Sequence, residues 1–573
     1  MYRNLPEVLN ETAHHYPERK AFIYLKDGEM ESVSCTYREL LLQSQALAGY
    51  FQYLGLEGER IMILLPSGID YIISFLASLY AKAIPIPVYP PSKSRNAERI
   101  AAIYADSTPA LIITPTPQDA DKLPSSMQAA HIIQLNDIMS CNHLFYNHTE
   151  SIPSEDIAFL QYTSGSTSSP KGVMVSHRNL HHNFAMMQQR FEHAANTIMA
   201  TWLPIYHDMG LIGNVLQNIY NGGTCYLMSP LDFIQKPIRW LRAISKFGVT
   251  FSGGPDFAYR LCIQKISQEE KAALDLSSWT NAFNGAEPVR AETIRQFVDQ
   301  FGVCGFQEQA MMPSYGLAEG TLCVTVGSRL ASPKLLLLND KAMQKHQVLL
   351  EDNTGPGTRL LVGCGQISAH QQIKIVEPFT KLEHTEGEIG EIWIKGDSVA
   401  QGYWGAPVAS ADTFAACLSD TGGGPYLRTG DLGFIHEGEL FITGRLKDLI
   451  IIRGQNYYPQ DIEQIAAGCH SEINAASTAA FSIDVQGKEE LVILCEMNRE
   501  FKHVIQRKQL DLAASLNDIA QNIQMKINEQ FQLHAHDIKI VKPLHIPKTS
   551  SNKIQRHKCK QMYLSGSLIA WGG

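Results

Sequence analysis

The stretch Phe159–His177, "FLQYTSGSTSSPKGVMVSH", crowds small hydroxyl residues around a glycine and then adds a lone lysine. On either side, Ile157–Leu160 and Val173–Val175 read as short buried strands, because each is an apolar run bounded by turn formers. The segment between them, Thr163–Gly172, holds no large apolar side chain and is punctuated by Gly165, Pro170 and Gly172. It forms no packed element. Two readings fit it. One is a solvated hairpin loop. The other is a phosphate-binding loop, in which small residues let backbone N–H groups approach an anion while hydroxyls donate further bonds. It is not a Walker A motif, since that pattern needs Gly-Lys-Ser/Thr and Lys171 is followed by Gly172.

Outward from this stretch the chain alternates helix and strand patterns. "TYRELLLQSQALAGYFQYLG" has apolar residues at helical spacing, "RIMILLP" reads as a buried strand, and "DYIISFLASLYAKA" reads as a core helix. "IPIPVYPP" is extended, and "PALIITPT" is a further short strand. The alternation returns at "RWLRAISKFG" and "VTFSGGP", and predicts an α/β fold whose mostly parallel sheets carry helices on both faces. From about Gly387 the texture changes to short strands and turns. Beyond Lys447, two strand-like runs and the helical "DLAASLNDIAQNIQMKINEQF" predict a small α+β unit. The expected division is 1–446 and 447–573, meeting at a hinge near Lys447.

Composition narrows the function classes. The 573 residues are 45% hydrophobic and 18% charged, which describes a globular protein too long for one ordinary core. A net charge of −9 argues against nucleic acid or an anionic membrane as partner, since both demand a basic surface. "MYRNLPEVLNETAHHYPERK" is polar and is no secretory leader, and the most apolar run, Tyr71–Ala81, is too short to span a bilayer. The eleven cysteines stand singly, without metal spacing or a disulfide framework. A cytoplasmic enzyme is expected.

Seven stretches, each weak alone, gain meaning from their order: "YTSGSTSSPKG", "LPIYHDMG", "FNGAEP", "SYGLAE", "YLRTGDLG", "GRLKDLIIIRGQNYYPQDIE" and "PKTSSNKIQR". Together they resemble the successive core motifs of the adenylate-forming superfamily, over nearly the whole chain. The resemblance implies attack of a carboxylate on the α-phosphate of ATP with loss of pyrophosphate, chemistry that needs preorganised donors, a metal and a mobile cation. It implies that Thr163, Ser164, Gly165, Ser166, Thr167 and Lys171 line the triphosphate. Glu319 resembles the Mg²⁺ carboxylate. Tyr315, between Ser314 and Gly316, would stack on adenine, with Gly285, Ala286 and Glu287 on the nucleotide's other side. Asp431 resembles the ribose-diol acceptor, assisted by Arg445, and Lys553 the lysine that bridges carboxylate and α-phosphate after domain closure. One departure is Asn552, where a glycine normally precedes that lysine.

"LPIYHDMGLIG" speaks to the acid. His207 stands where acyl-activating members place a residue beside the acyl carboxylate, while a competing reading makes Asp208 a ligand for an amino group. Ile205, Met209, Gly210 and Gly253 suggest an apolar slot opened by small residues, suited to an acyl chain. Within the superfamily the closest resemblance is to fatty acyl-AMP ligases. It implies activation of a medium- or long-chain fatty acid and transfer to an acyl carrier protein supplied in trans. Roughly fifty residues separate Thr321 from "QQIKIVEP", a length that favours an insertion within 321–363. In that family such an insertion goes with loss of acyl-CoA formation. A fatty acyl-CoA synthetase is the alternative, and a nucleotide-binding module without turnover is a third reading. Intact Lys171, Glu319, Asp431, Arg445 and Lys553 count against the third.

Overall fold

The computed structural model describes residues 2–91, 97–127, 130–134, 146–147, 151–163, 170–355, 357–549 and 553–571. Four strands too apolar to face water on either side, Ile84–Pro87, Arg60–Ile63, Leu111–Thr114 and Ile132–Gln134, pair in that order and all in parallel. The Ile69–Tyr80 helix packs beside them with all but one of its residues buried. The Tyr37–Tyr53 helix begins at a capping box, Thr36 accepting from the Glu39 N–H while the Glu39 carboxylate accepts from Thr36.

A second sheet carries the alternation further. Lys20–Lys26, Thr224–Met228, Ile198–Thr201, Phe251–Gly254, Asn281–Asn284 and Met311–Gly316 lie side by side in parallel. Beyond Met311–Gly316 the same sheet turns antiparallel through Cys323–Val326, Thr358–Ile367, Glu439–Arg445, Leu427–His436, Gly390–Gly396 and Gln371–Val376. The fold is therefore α/β, with the β-rich texture after Gly387 forming one flank of a continuous sheet. Ile157–Thr163 and Lys171–Ser176 form an antiparallel hairpin whose last pair is Thr163 with Lys171.

After Leu446–Asp448 the chain builds a smaller body. Ile473–Val485 and Lys488–Met497 form a hairpin, and Ala535–Val541 joins in parallel. The Pro459–Gly468 and Leu512–Phe531 helices close a core of Ile462, Ile493, Ile519, Ile523 and Ile527 that is separate from the large one. Leu335–Asn339 pairs with Thr358–Val362, so the long connection folds as a hairpin on the sheet. Leu338 packs with Tyr458, whereas Leu335, Leu349 and Leu350 stay exposed. Among the described residues no helix is long and apolar enough to cross a membrane, and the ten described cysteines are free.

Candidate active site

The strands Asn281–Asn284 and Met311–Gly316 pair in parallel, and the chain at and beyond their carboxyl ends lines a cavity of about 1520 Å³. Ligands of open α/β sheets bind outside such carboxyl ends. Thr163, His207, Met209, Gly285, Ala286, Glu287, Ser314, Tyr315, Gly316, Glu319, Asp431, Arg445, Lys447 and Lys553 all contribute to its wall. Residues as distant in sequence as Thr163 and Lys553 thus face one space.

Asp431 lies opposite Arg445 across the Leu427–His436 and Glu439–Arg445 pair. Arg445 Nε donates to Asp431 Oδ1 at 2.8 Å, and the Tyr315 hydroxyl donates to Oδ2 at 2.8 Å. The Asp431 charge pulls the Arg445 pKa up, and burial, with Asp431 next, raises that of Tyr315 well above the usual phenol value. Both donors therefore keep their protons. Each carboxylate oxygen retains a lone pair for a diol. Ala286 adopts φ +67°, a left-handed conformation that strains a residue with a Cβ and is held by its surroundings. Glu287 accepts from the Phe257 N–H at 2.5 Å and stands 3.8 Å from Arg260; burial, then Asp256, push its pKa up, with Arg260 opposing.

Ser164, Gly165, Ser166, Thr167 and Asn552 lie outside the described residues. The frame of the loop is described: Arg99 Nη2 donates to the Thr163 carbonyl at 2.8 Å. Lys171 Nζ lies 4.5 Å from the centre of the Tyr403 ring and makes no wall of the cavity itself. Tyr403 in turn donates to Glu319 Oε1 at 2.8 Å; burial, then the Glu319 charge, raise its pKa and keep it a donor. Among the described residues no group of three or more His, Cys, Asp or Glu side chains stands ready to hold a metal. A hard divalent cation that takes one carboxylate and completes its shell from phosphate and water fits Glu319, whose Oε2 carries no protein hydrogen bond among those described.

His207 Nδ1 and Asp208 Oδ1 are 2.5 Å apart on the cavity wall, and the Met209 N–H donates to the same oxygen at 2.7 Å. Burial pushes the Asp208 pKa up, but His207, Lys553 and the Met209 N–H outweigh it and hold the carboxyl below its usual range. Asp208 is engaged inside the chain, which disfavours its use as an amino-group ligand. Lys553 is tied to Thr549, whose N donates to the Lys553 carbonyl at 2.8 Å while Lys553 N donates to Thr549 Oγ1 at 3.0 Å. Burial, then Arg445, push its pKa below the usual lysine value, against Asp208, Glu287 and Asp431.

Three expected acyl residues lie elsewhere. Ile205, 1% exposed, is part of the large core. Gly210 and Gly253 are small because a Cβ would stand 2.2 Å from the Pro204 carbonyl oxygen and 2.1 Å from that of Phe283. They permit backbone contact and open no slot. The apolar part of the cavity wall is formed instead by Met187, Phe191, Phe251, Phe283 and Leu322, together with Met209. Nothing in their spacing separates these from ordinary core residues. Arg99 and Tyr403 escaped the sequence reading for another reason: their partners lie 64 and 84 residues away.

Two sets of contacts hold the smaller body, one internal and one from the long connection. Arg556 Nε and Nη2 pair with Glu463 at 2.7 and 2.8 Å, and its Nη1 with Asp448 at 2.9 Å. From the long connection, Arg359 reaches Asp461 at 2.6 Å, and the Gln344 carbonyl accepts from Asn456 Nδ2 at 2.9 Å. Burial, only partly offset by Arg359, pushes the Asp461 pKa up to about 6.

Comparison with known proteins places this geometry. The AMP-binding enzyme family matches residues 9–404, and the Disco-interacting protein 2-like AMP domain matches residues 447–571. JamA of Moorena producens, a medium-chain-fatty-acid–acyl-carrier-protein ligase, is 37% identical over 100% of this chain and 96% of its own length. TtuA of Teredinibacter turnerae, with the same activity in its name, is 35% identical over 95% of this chain and 91% of its own. The crystal structure of a fatty acyl-adenylate ligase from L. pneumophila, in complex with acyl adenylate and pyrophosphate, aligns with TM-score 0.75 and 39% identity, covering 99% of this chain and 97% of that one.

Proposed function

The chain belongs to the AMP-binding enzyme family, and from that premise we propose that it is a fatty acyl-AMP ligase. It joins a medium- or long-chain fatty acid to ATP, releases pyrophosphate, and passes the acyl group to the phosphopantetheine thiol of an acyl carrier protein in trans. The observation that carries this reading is the burial of Lys553, a residue of the smaller body, in the cavity that also holds His207, Tyr315 and Asp431. JamA and TtuA support the choice of acid and acceptor.

In the first step a carboxylate oxygen attacks the α-phosphorus, the bond to the bridging oxygen of the β-phosphate breaks, and pyrophosphate leaves. Lys553 places its ammonium between the two anions and holds the charge that develops on the phosphoryl oxygens. His207, oriented by Asp208, faces the carboxylate, and Met209 begins the slot for the chain. Asp431 accepts the ribose hydroxyls, while Gly285, Ala286, Glu287, Ser314, Tyr315 and Gly316 enclose the base. By the motif resemblance Thr163–Thr167 and Lys171 serve the outer phosphates; of these Thr163 lines the cavity and Lys171 stands against the Tyr403 ring. Glu319 would hold a Mg²⁺ ion, whose contribution would be to neutralise phosphate charge. In the second step the carrier thiol attacks the acyl carbonyl carbon and AMP leaves.

The part beyond the hinge at Lys447 acts as a lid, and Arg359–Asp461 and Gln344–Asn456 favour its adenylating position over the one that would admit CoA. The free cysteines fit a cytoplasmic setting. The test is a mass-spectrometric assay with ATP, Mg²⁺ and a ladder of fatty acids, with CoA or a phosphopantetheinylated carrier. Acyl-adenylate should form from fatty acids alone, and thioester should appear on the carrier. Abundant acyl-CoA would instead favour the synthetase reading.

A further inference from the structure

Seven arginines reach the wall of the cavity. Five of them are ion-paired within the chain, as Arg445 is to Asp431 and Arg556 to Glu463. Arg290 makes no such pair but is faced by Asp256, Glu287 and Glu463. Arg99 has neither. Its Nη2 donates to the Thr163 carbonyl, a neutral acceptor, at 2.8 Å, and its Nε is buried without a partner. Nη1 also has no partner among the described residues and, unlike Nε, keeps accessible surface. Burial pushes the Arg99 pKa below the usual guanidinium value, and the one acidic group that opposes this is the Tyr89 phenol.

A cation withdrawn from water without a counter-charge is costly, and an arriving anion offsets that cost. The Thr163 contact says where the anion lies. Thr163 pairs with Lys171 at the last position before the loop, so the guanidinium stands at the root of the segment that the motif resemblance gives to the outer phosphates. Lys171, the cation of the same motif, lies 4.5 Å from the centre of the Tyr403 ring and makes no wall. Beside Thr163 the cavity therefore meets the charge of Arg99. We propose that Arg99, through its open Nη1, binds the outer phosphates of ATP and the pyrophosphate that leaves, while Nη2 keeps the loop root in place. The carboxylate of the acid is met elsewhere, at His207 and Lys553. This inference rests on the adenylating reading above and adds a phosphate-binding residue to it.

The experiment measures binding of inorganic pyrophosphate with Mg²⁺, and of AMP, to the full chain by calorimetry. Arg99→Gln removes the charge and keeps an amide donor for the Thr163 carbonyl. It should weaken pyrophosphate by about tenfold or more, the scale of one lost hydrogen bond to a charged group, and leave AMP, which has no outer phosphate, within about twofold. Arg99→Lys restores the cation without the fork and should recover part of the loss. Unchanged pyrophosphate affinity in Arg99→Gln, no recovery in Arg99→Lys, or an equal loss of AMP would leave Arg99 a prop of the loop and overturn the inference. A defect confined to the KM for fatty acid would make the carboxylate its anion, and overturns it too. Should the variants fail to fold, the wild-type protein decides: pyrophosphate, and not AMP, should shield Arg99 from p-hydroxyphenylglyoxal, read by peptide mass spectrometry. An Arg99 that escapes the reagent, or reacts equally with and without pyrophosphate, overturns the inference while leaving fatty-acid activation standing. Wild-type protein that binds no pyrophosphate overturns both.

Discussion

The two walls of the cavity are built on opposite plans. On the wall of the large body almost every functional side chain is already held by a protein partner: Asp431 by Tyr315 and Arg445, Glu319 by Tyr403, Asp208 by His207. The wall of the smaller body offers Lys553, buried but with no side-chain hydrogen bond or ion pair among the described residues, three residues from an Arg556 that has three ion-pair bonds. Arg556 anchors the loop and Lys553 is left for the substrate. A scaffold held by its own bonds keeps its shape when ATP leaves. A cation that must gain its best partner only as charge develops is better kept unpaired until then.

The contrast is tested most severely at Lys553. Lys553→Ala should cost acyl-adenylate formation about two or more orders of magnitude, the scale of one lost electrostatic stabiliser. ATP affinity, measured by equilibrium binding, should change far less because the opposite wall is intact. Near-normal adenylation would remove Lys553 from the mechanism. A pH profile sharpens the same point. Lys553 acts as the ammonium, and burial with Arg445 places its pKa below 10.5, so the charge is lost as pH rises through that lowered value. The alkaline limb of kcat/KM, which reports free enzyme, should therefore fall below pH 10.5, while kcat, measured with phosphate already beside the lysine, should hold to higher pH. Coincident limbs would mean that ATP does not meet this group.

On the scaffold wall the expected effect is smaller and falls on a different parameter. Asp431→Ala leaves the ribose hydroxyls and Arg445 without their acceptor and should raise KM for ATP by about tenfold, with KM for fatty acid little moved. An unchanged ATP KM with a raised fatty-acid KM would reverse the orientation of the site.

How far the sequence reached follows the same division. Residues that motif order singled out, such as Tyr315, Glu319, Asp431 and Lys553, are polar groups drawn from several elements, and they meet in one cavity. Their chemistry is written in their identity. Residues whose role depends on which way a core face turns were illegible: Ile205 and Phe251 are both apolar neighbours of strand ends, and only packing decides that Phe251 faces the cavity and Ile205 does not. Gly210 and Gly253 misled because smallness serves backbone contact as well as open space. Arg99 and Tyr403 were hidden by sequence distance, since a hydrogen bond across 64 or 84 residues leaves no local pattern.

The smallest expected effect concerns the contacts that hold the two walls together. On the proposed reading the lid must rotate about Lys447 before a thiol can reach the adenylate, and the long connection resists that rotation. Its grip is specific: Arg359 on Asp461, Gln344 on Asn456, Leu338 against Tyr458. Arg359 and Asp461 are both largely shielded from water, so their pairing is worth more than an exposed bridge. Arg359→Ala should therefore release about 1 kcal/mol of bias and raise acyl-CoA output about fivefold at unchanged acyl-adenylate formation. Both products would be measured by mass spectrometry under the same conditions. Because the substitution also strands a carboxyl that burial already pushes up to about 6, Arg359→Ala with Asp461→Asn is the cleaner probe and should give the same rise. Trimming Leu335–Asn339 with the turn that follows removes the apolar contact as well, and should raise acyl-CoA further. If the trimmed protein responds and the ionic variants do not, the grip is the packing of Leu338 on Tyr458. If none of them responds, the connection does not restrain the lid, and exclusion of CoA must come from the channel by which its pantetheine would enter.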